Sequence, residues 1–549
     1  MTASSTTTTN GARRAAHPTL VLLLIAGAQL MVILDATIVN IALPTMGEYF
    51  DKNQTSMTWA LNAYTLTFGG LLLLGGRSGD ILGRRRMFII GLGLFTLGSF
   101  LGGVATSYAF LLFGRVVQGA GGAIASPTAL SLITNAFAAG RERTRAFAVY
   151  AAVSGAGAAL GLLLGGILTE YLSWRWVLFV NVPIGIFLMI GAFLYLHETE
   201  RHEGRFDYLG GVLSILGMVG VVYGFIHAAS DGWANPTTIV TLGGGVLLLA
   251  VFFYVETRVE DPMVPLRVVL DRNRGGSYLI MLIVGAGLFG MFYFVTFFVQ
   301  QVMGFSALKA GFSFLPVTFV IAITSAVMTK LMPKFGPKPM ILAGTILLTS
   351  AMFWYSTVDA SSSYWGLFFP GMIVMATGMG CIFVPLTTVA VAGVRPTDAG
   401  VASAMLNVGQ QVGGSIGLSV LATVAATAGR NYAKSHASDF QNALGSLPQD
   451  LQREVGGFIQ SKGSGGPQAG DIKTFIGQLP PSQRGTVSAW FSGPFHDAAA
   501  NIQAHASAMG FLAAACFGIA SIIVTIVLIN VKKEDLPTDQ EALATAAAA

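Results

Sequence analysis

Asp35 stands in an apolar stretch running from Leu20 to Leu43 and is the one carboxylate well inside any of the long hydrophobic segments of the chain. A charge at bilayer depth costs about 2.5 to 3.5 kcal/mol on insertion scales, so an acid kept there points to function. The chemistry open to a lone carboxyl is to take up a proton and give it back. Its natural counter-charge is Arg115, which lies in another apolar stretch and cannot shed its own proton, so it must find an acid or water. Gln118, Gly119 and Gly122 follow Arg115 at offsets of 3, 4 and 7. One helical face then presents a charge, an amide and two close-packing glycines. Two readings stay open: a static ion pair that fixes helix register, or a pair that changes partners as Asp35 protonates and so links titration to conformation.

Other patterns qualify as sites by type and spacing. Gly157, Gly161 and Gly165 recur every four residues, beside Gly155 and Gly166, as a small-residue stripe that lets helices approach closely. Asn407, Gln411 and Ser415 share a helical face next to Gln410, and polar groups at that depth face a cavity or another helix. Phe289, Tyr293 and Phe297 form an aromatic ridge suited to lipid, core packing or ligand. Gln29, Asn40, Gln118, Asn181, Phe289, Tyr293, Asn407, Gln410 and Gln411 are the candidates for lining a substrate cavity. Between Gly275 and Thr427 the only acids, Asp359 and Asp398, fall in predicted loops, so the expected ligand is hydrophobic or amphipathic. No Gly-x-x-x-x-Gly-Lys-Ser/Thr loop occurs, and neither a metal cluster nor a nucleophile–base set stands out. ATP coupling within the chain and enzymatic activity are both disfavoured, and no cofactor is expected.

The elements that must hold these residues follow from composition. Of 549 residues 53% are apolar and only 10% charged, where a soluble domain approaches about 25% charged. This is an all-α polytopic membrane protein. The net charge of +5 comes from basic residues dispersed among short loops, where they set topology rather than bind nucleic acid. Cys381 and Cys516 lie in apolar segments and read as small core residues. Stretches of about 20 apolar residues predict fourteen spans, near 19–43, 57–76, 87–105, 108–134, 144–169, 176–196, 207–228, 238–256, 276–302, 310–332, 338–357, 364–391, 401–427 and 507–531. The first follows a short polar start and reads as an uncleaved span. Alternate connections hold 21 Lys and Arg, whereas the short ones opposite hold only Lys52, Arg175 and Lys309. The positive-inside rule therefore puts both tails, 1–18 and 532–549, in the cytoplasm and segment 428–507 outside. That segment carries amphipathic pieces such as Leu447–Ile459, as a tolerated excursion or a device for substrate access.

The chain also repeats itself. Gly83 to Gly91, between spans 2 and 3, recurs loosely as Gly336 to Gly344, an offset of 253, and Ile124-Ala125-Ser126-Pro127 is echoed by Ile382-Phe383-Val384-Pro385 at 258. Two six-span halves, 19–198 and 275–531, with two spans inserted at 199–274, describe a parallel-repeat transporter whose substrate site lies between the halves.

Gly76-Arg77-Ser78-Gly79-Asp80-Ile81-Leu82-Gly83-Arg84-Arg85 resembles the loop signature of the major facilitator superfamily. Leu34-Asp35-Ala36-Thr37-Ile38-Val39-Asn40-Ile41-Ala42-Leu43-Pro44, Trp174-Arg175-Trp176 with Asn181 and Pro183, and Gln300 to Ser306 resemble its fourteen-span drug:proton antiporters. The resemblance implies proton-driven efflux of lipophilic compounds from the cell membrane by alternating access, with Arg115 and Asp35 in proton coupling. It also implies that Gly76, Asp80, Gly83, Arg84 and Arg85 form a latch between the halves, and that Gly157, Gly161, Gly165 and Gly166 form an export motif. Leu162 stands where that motif has proline, and Ser78 replaces an aliphatic residue of the loop signature. Alternatives are a dedicated exporter of one metabolite or lipid, and a transporter-like receptor. The expected partners are substrate, protons and membrane lipids, with no obligate protein partner.

Overall fold

The computed structural model describes residues 18–137, 141–198, 207–259, 262–264, 266–392, 394, 399–461, 467 and 469–531, less the side chains of some helical residues, Asp80 among them. Regular structure in the described residues is entirely helical. Five long helices come first: α1 (Pro18–Phe50), α2 (Gln54–Leu82), α3 (Arg84–Gly103), α4 (Tyr108–Ala136) and α5 (Arg141–Tyr171). Next are α6 (Trp176–Phe179), α7 (Asn181–Tyr195) and the pair α8 (Tyr208–Asp231) and α9 (Pro236–Glu256). A short α10 (Leu266–Val269) leads to α11 (Arg272–Gln301), α12 (Ala307–Ser313), α13 (Leu315–Phe335) and α14 (Pro337–Tyr355). A π-turn, Tyr364–Phe368, enters α15 (Phe369–Val391), which is followed by α16 (Ala399–Ser435). Finally α17 (Ala437–Gly445), α18 (Gln449–Ser461), α19 (Ala469–Gln478), α20 (Pro481–Trp490) and a second π-turn, Phe491–Phe495, precede α21 (His496–Leu528).

Local chemistry sets these boundaries. Asn53, Ser107, Asp207, Asn235, Asp271 and Ser306 each accept a backbone N–H of the helix they open, which satisfies a donor the helix cannot. Gly83 and Gly336 close α2 and α13 at φ +105° and +76°, a region where a side chain is strained. These are the two loop copies singled out by the repeat. A helix occupies each of the fourteen expected stretches. By length and composition, twelve segments of the described residues are fit to cross a membrane.

Three expected boundaries move. The 310–332 stretch is interrupted at Phe314, with Pro316 in the opening turn of α13, where a missing N–H costs nothing. Likewise 176–196 splits at Val180 into α6 and α7. Helices α16 and α21 run past 427 and begin before 507. Their extensions lie side by side, Tyr432 stacking on His505 with ring centroids 4.6 Å apart and Gly429 facing Ala506. Helical hydrogen bonding continues there after apolarity has ended, so hydropathy misplaces both ends. Between them, α17 to α20 close over a small core of their own: Leu447, Leu451, Val455, Leu479, Val487, Trp490 and Phe491. The amphipathic piece expected at Leu447–Ile459 is α18 and its lead-in, with Leu451 and Val455 facing this core.

The two halves pack alike. In the first, α1 lies on α5, α3 on α4 and α2 on α4; in the second, α11 lies on α16, α14 on α15 and α13 on α15. Gly91 meets the backbone of Gly121 and Ala125 as Gly344 meets Gly378 and the side chain of Ile382. The same glycine thus brings the same two helices together in each copy. The halves join along α2 and α16, α1 and α11, and α5 with α12 and α13. The pair α8–α9 sits beside one seam, with α8 touching both α2 and α16.

Candidate functional site

Asp35 is fully buried, and its two oxygens take separate partners. Arg115 Nη1 approaches Oδ2 at 2.7 Å, while Oδ1 accepts from Gln118 Nε2 at 2.6 Å and Asn181 Nδ2 at 3.0 Å. Arg115 also donates to Gln118 Oε1 at 2.7 Å and, through Nε, to the Ala60 carbonyl at 3.0 Å, and it lies over the Tyr64 ring at 4.4 Å. Ser99 Oγ accepts from Gln118 and Asn181. Five helices, α1, α2, α3, α4 and α7, therefore converge on one carboxylate. Gln118 sits one turn from Arg115, so α4 alone delivers the cation and the amide that bracket Asp35.

The network is not saturated. Arg115 Nη2, Tyr64 OH and Asn181 Oδ1 are buried without a hydrogen-bond partner. Such groups cost free energy unless another arrangement uses them. Asn181 Oδ1 is the unused acceptor of the same amide whose Nδ2 donates to Asp35. Arg115, released from the pair, would keep Gln118, Ala60 and the Tyr64 ring. The network thus leaves hydrogen-bonding capacity unused around one fully buried acid.

The glycine stripe of α5 serves this site by packing. A Cβ on Gly161 would strike Thr37 Oγ1 and come within 2.8 Å of the Leu34 carbonyl, and one on Gly165 would lie 2.8 Å from the Ile38 carbonyl. Gly157 faces Leu30 and Ile33 in the same way. These glycines thus seat the segment of α1 that carries Asp35. Gly166 instead faces Leu308 of α12 at 2.7 Å, so the last of the four belongs to the seam between halves.

The remaining expected residues separate by location. Gln118 and Asn181 join the Asp35 network and are fully buried there, rather than lining an open cavity. Gln29 Oε1 accepts from Tyr150 OH at 2.7 Å and Ser126 Oγ at 3.3 Å. Asn40 is buried with Oδ1 unpartnered. Tyr293 is fully buried against Phe297, its hydroxyl donating to the Gln54 carbonyl, so it is a seam residue; Phe289 is half-buried against Gly414. Asn407 is exposed, Gln410 and Gln411 half-buried, and Gln411 lies against Gly69 of α2. Ser415 donates to Asn62 Oδ1 at 2.8 Å, and Asn62 Nδ2 donates to Ser419 at 3.0 Å. The face beginning at Asn407 is therefore an α16–α2 contact.

In the basic loop, Arg84 donates to the Ser131 carbonyl and Gly76 rests against Pro127. Glu198 accepts the backbone N–H groups of Arg85 and Arg86, each at 3.1 Å. A carboxylate thus covers the N-terminus of α3, where the helix dipole favours it. Gly83 leaves room for that carboxylate, which a Cβ would meet at 2.7 Å. Arg85 also donates to the Phe193 carbonyl. These contacts stay within the first half; the side chain of Asp80, the acid of the expected latch, lies outside the described residues.

Ser99, Tyr64 and Asn62 belong to these networks without having been singled out from the sequence. Ser99 on α3, and Tyr64 and Asn62 on α2, carry no spacing signal for networks assembled through space.

Two repeated helical halves, with a charged pair sealed inside one and polar contacts along their seam, define a membrane transporter of two-domain architecture. Residues 25–418 match the Major Facilitator Superfamily, and the chain belongs to that family. It is 42% identical over 423 residues to the puromycin resistance protein of Streptomyces alboniger, covering 76% of this chain and 84% of that one. It is 38% identical over 399 residues to the cephamycin export protein CmcT of Amycolatopsis lactamdurans, covering 72% and 82%. In structure it is similar to a bacterial homologue of the human lysosomal transporter Spinster, in an inward-facing and occupied conformation. That likeness has a TM-score of 0.62 at 15% identity, covers 95% of this chain and 98% of the other, and concerns the fold.

Proposed function

We propose that this chain exports lipophilic or amphipathic small molecules across the cell membrane in exchange for protons, by alternating access between its halves. The observation that carries this reading is the sealed Asp35 network: one fully buried acid, one buried arginine and neutral amides able to serve either protonation state. Relatives named for puromycin resistance and cephamycin export support the direction and the kind of cargo. The reading has fourteen spans as 6+2+6, adding α5 and α14 to the twelve segments fit to cross, with both termini cytoplasmic. It needs no cofactor, since the proton gradient supplies the energy.

Contacts between the halves include Gln300 to the Ile41 carbonyl, Gln503 to Gln54, and Leu308 N–H to Glu170, all at the end carrying the α1–α2 turn. In this reading that end is external, and these bonds hold the outer gate closed. Asp35 to Asn is the test. Asn keeps size and hydrogen bonding but does not titrate, so the variant is expected to reach the membrane and bind substrate while losing proton-driven accumulation in liposomes. Uphill, pH-dependent transport equal to the parent would move the coupling elsewhere.

A dedicated exporter is the second reading, favoured by relatives named for single compounds. A panel of neutral, zwitterionic and dicationic lipophiles separates the two. A multidrug pump without an acid in the predicted spans of its second half should carry neutral compounds at least as well as dications, and a dedicated one should carry a single scaffold.

A further inference from the structure

A second pair of acids lies where α8 and α9 meet the linker to α11. Asp207 and Glu256 are 6% and 3% exposed. Each uses one oxygen on a backbone N–H: Asp207 Oδ1 accepts from Gly210 at 2.8 Å, and Glu256 Oε2 accepts from Val264 at 2.8 Å. The other two oxygens, Asp207 Oδ2 and Glu256 Oε1, are buried with no partner. Both crowd the same point beside Gly210, being atoms that a Cβ there would meet.

Among the described residues no cation compensates them. Neither carboxyl forms an ion pair with a described residue; Arg274 pairs with Asp271, and Arg258 lies over Tyr254. Among the described residues, the one titratable group acting on Glu256 is Asp207, and its other contacts are the backbone of Met263 and Val264. Two adjacent buried carboxylates cannot both stay ionised without a counter-charge. One proton between the orphaned oxygens removes the repulsion and satisfies both atoms at once.

We infer that Asp207 and Glu256 form a second proton-binding site, separate from Asp35, which holds one shared proton and with it clamps Met263 and Val264, between α9 and α10, onto the seam between α2 and α16. The clamp follows from what Glu256 holds. Met263 and Val264 are buried with Phe252 of α9, against Leu73 and Leu74 of α2, Leu213 of α8 and Met405 of α16. Glu256 fixes Val264 in that plug through its N–H. Loss of the shared proton leaves two like charges in an apolar pocket, and they are relieved by taking up water and releasing the plug. Protonation therefore favours the seated linker, and rising pH frees it.

The test measures maleimide labelling of Met263→Cys in detergent-solubilised full-length protein carrying C381A and C516A, against pH. Isosteric E256Q and D207N each place an N–H donor between the carboxyl groups, so both should stay seated without a proton. The ratio of parent to variant rates cancels the titration of the thiol itself. That ratio should rise by up to about tenfold per pH unit once the shared proton leaves, as one-proton linkage requires, and D35N should leave it unchanged. Parent and variants sharing one profile would overturn the inference, as would protection that follows sodium or calcium instead of pH. Should both variants fail to fold, infrared spectra of the D35N protein decide. A protonated carboxyl band persisting at neutral pH and lost on alkaline titration, in step with Met263→Cys labelling, supports the site; its absence refutes it.

Discussion

Asp35 and Arg115 are not equivalent halves of one ion pair. Arg115 has three other anchors, Gln118 Oε1, the Ala60 carbonyl and the face of Tyr64, whereas Asp35 has two, the amides of Gln118 and Asn181; among the described residues each is the other's one counter-charge. Removing one member of a buried pair costs about 3 to 5 kcal/mol when the other is left uncompensated. Arg115→Ala also empties the place of a large, fully buried side chain and strips Gln118, Ala60 and Tyr64 of their partner, so it should lower expression and thermal stability sharply, and the near-isosteric Asp35→Asn should lower them less. Melting curves of both variants in one detergent test this. Equal losses would mean that the pair is structural and that the alternative partners of Arg115 carry no weight. The proposed exchange with protons needs such an asymmetry, since in it the acid goes neutral while the cation stays housed.

At the scale of elements, the stripe of α5 decides how closely Asp35 is held. Gly161→Ala would drive a methyl group into Thr37 and the Leu34 carbonyl, backbone that has little room to yield. Overpacking of this kind costs about 1 to 3 kcal/mol, and it displaces the turn of α1 bearing the acid. The expected result is a folded protein with impaired transport, read as flux at matched expression; parental flux would reduce the stripe to general packing. This stripe and the Arg115–Gln118 face were legible because each is a short-range pattern on one helix. Ser99 and Tyr64 were not, since their roles arise only when separate helices meet. Glu256 escaped notice for another reason. It is the last residue of the predicted 238–256 span and reads as a polar span end, while the fold buries it with its carboxylate on Val264. The ends of α16 and α21 were misplaced because hydropathy senses the bilayer and is blind to a helix that continues beyond it.

At the scale of the molecule, the fourteen-span reading puts α17 to α20 outside the cell. A cysteine at exposed Ser461, in a background lacking the native cysteines, should react with an impermeant reagent on intact cells. Labelling only after lysis would reverse the assignment. The same four helices close over their own aromatic core, in which Phe458 stacks on Phe475 with centroids 4.2 Å apart. They join the bundle through two helices that already lie together at Tyr432 and His505. A unit with its own core and adjacent entry and exit should come away without unravelling what carries it. Replacing residues 437–495 by a short Gly/Ser linker should therefore leave a stable, membrane-inserted protein with the Asp35 network intact. Size-exclusion profile and thermal stability test that part, and collapse of either would show that the cap is integral to the fold. Transport by the same variant then separates the two roles open to the segment. Unchanged flux for every compound marks a tolerated excursion, whereas selective loss of some compounds marks an outer filter on substrate passage.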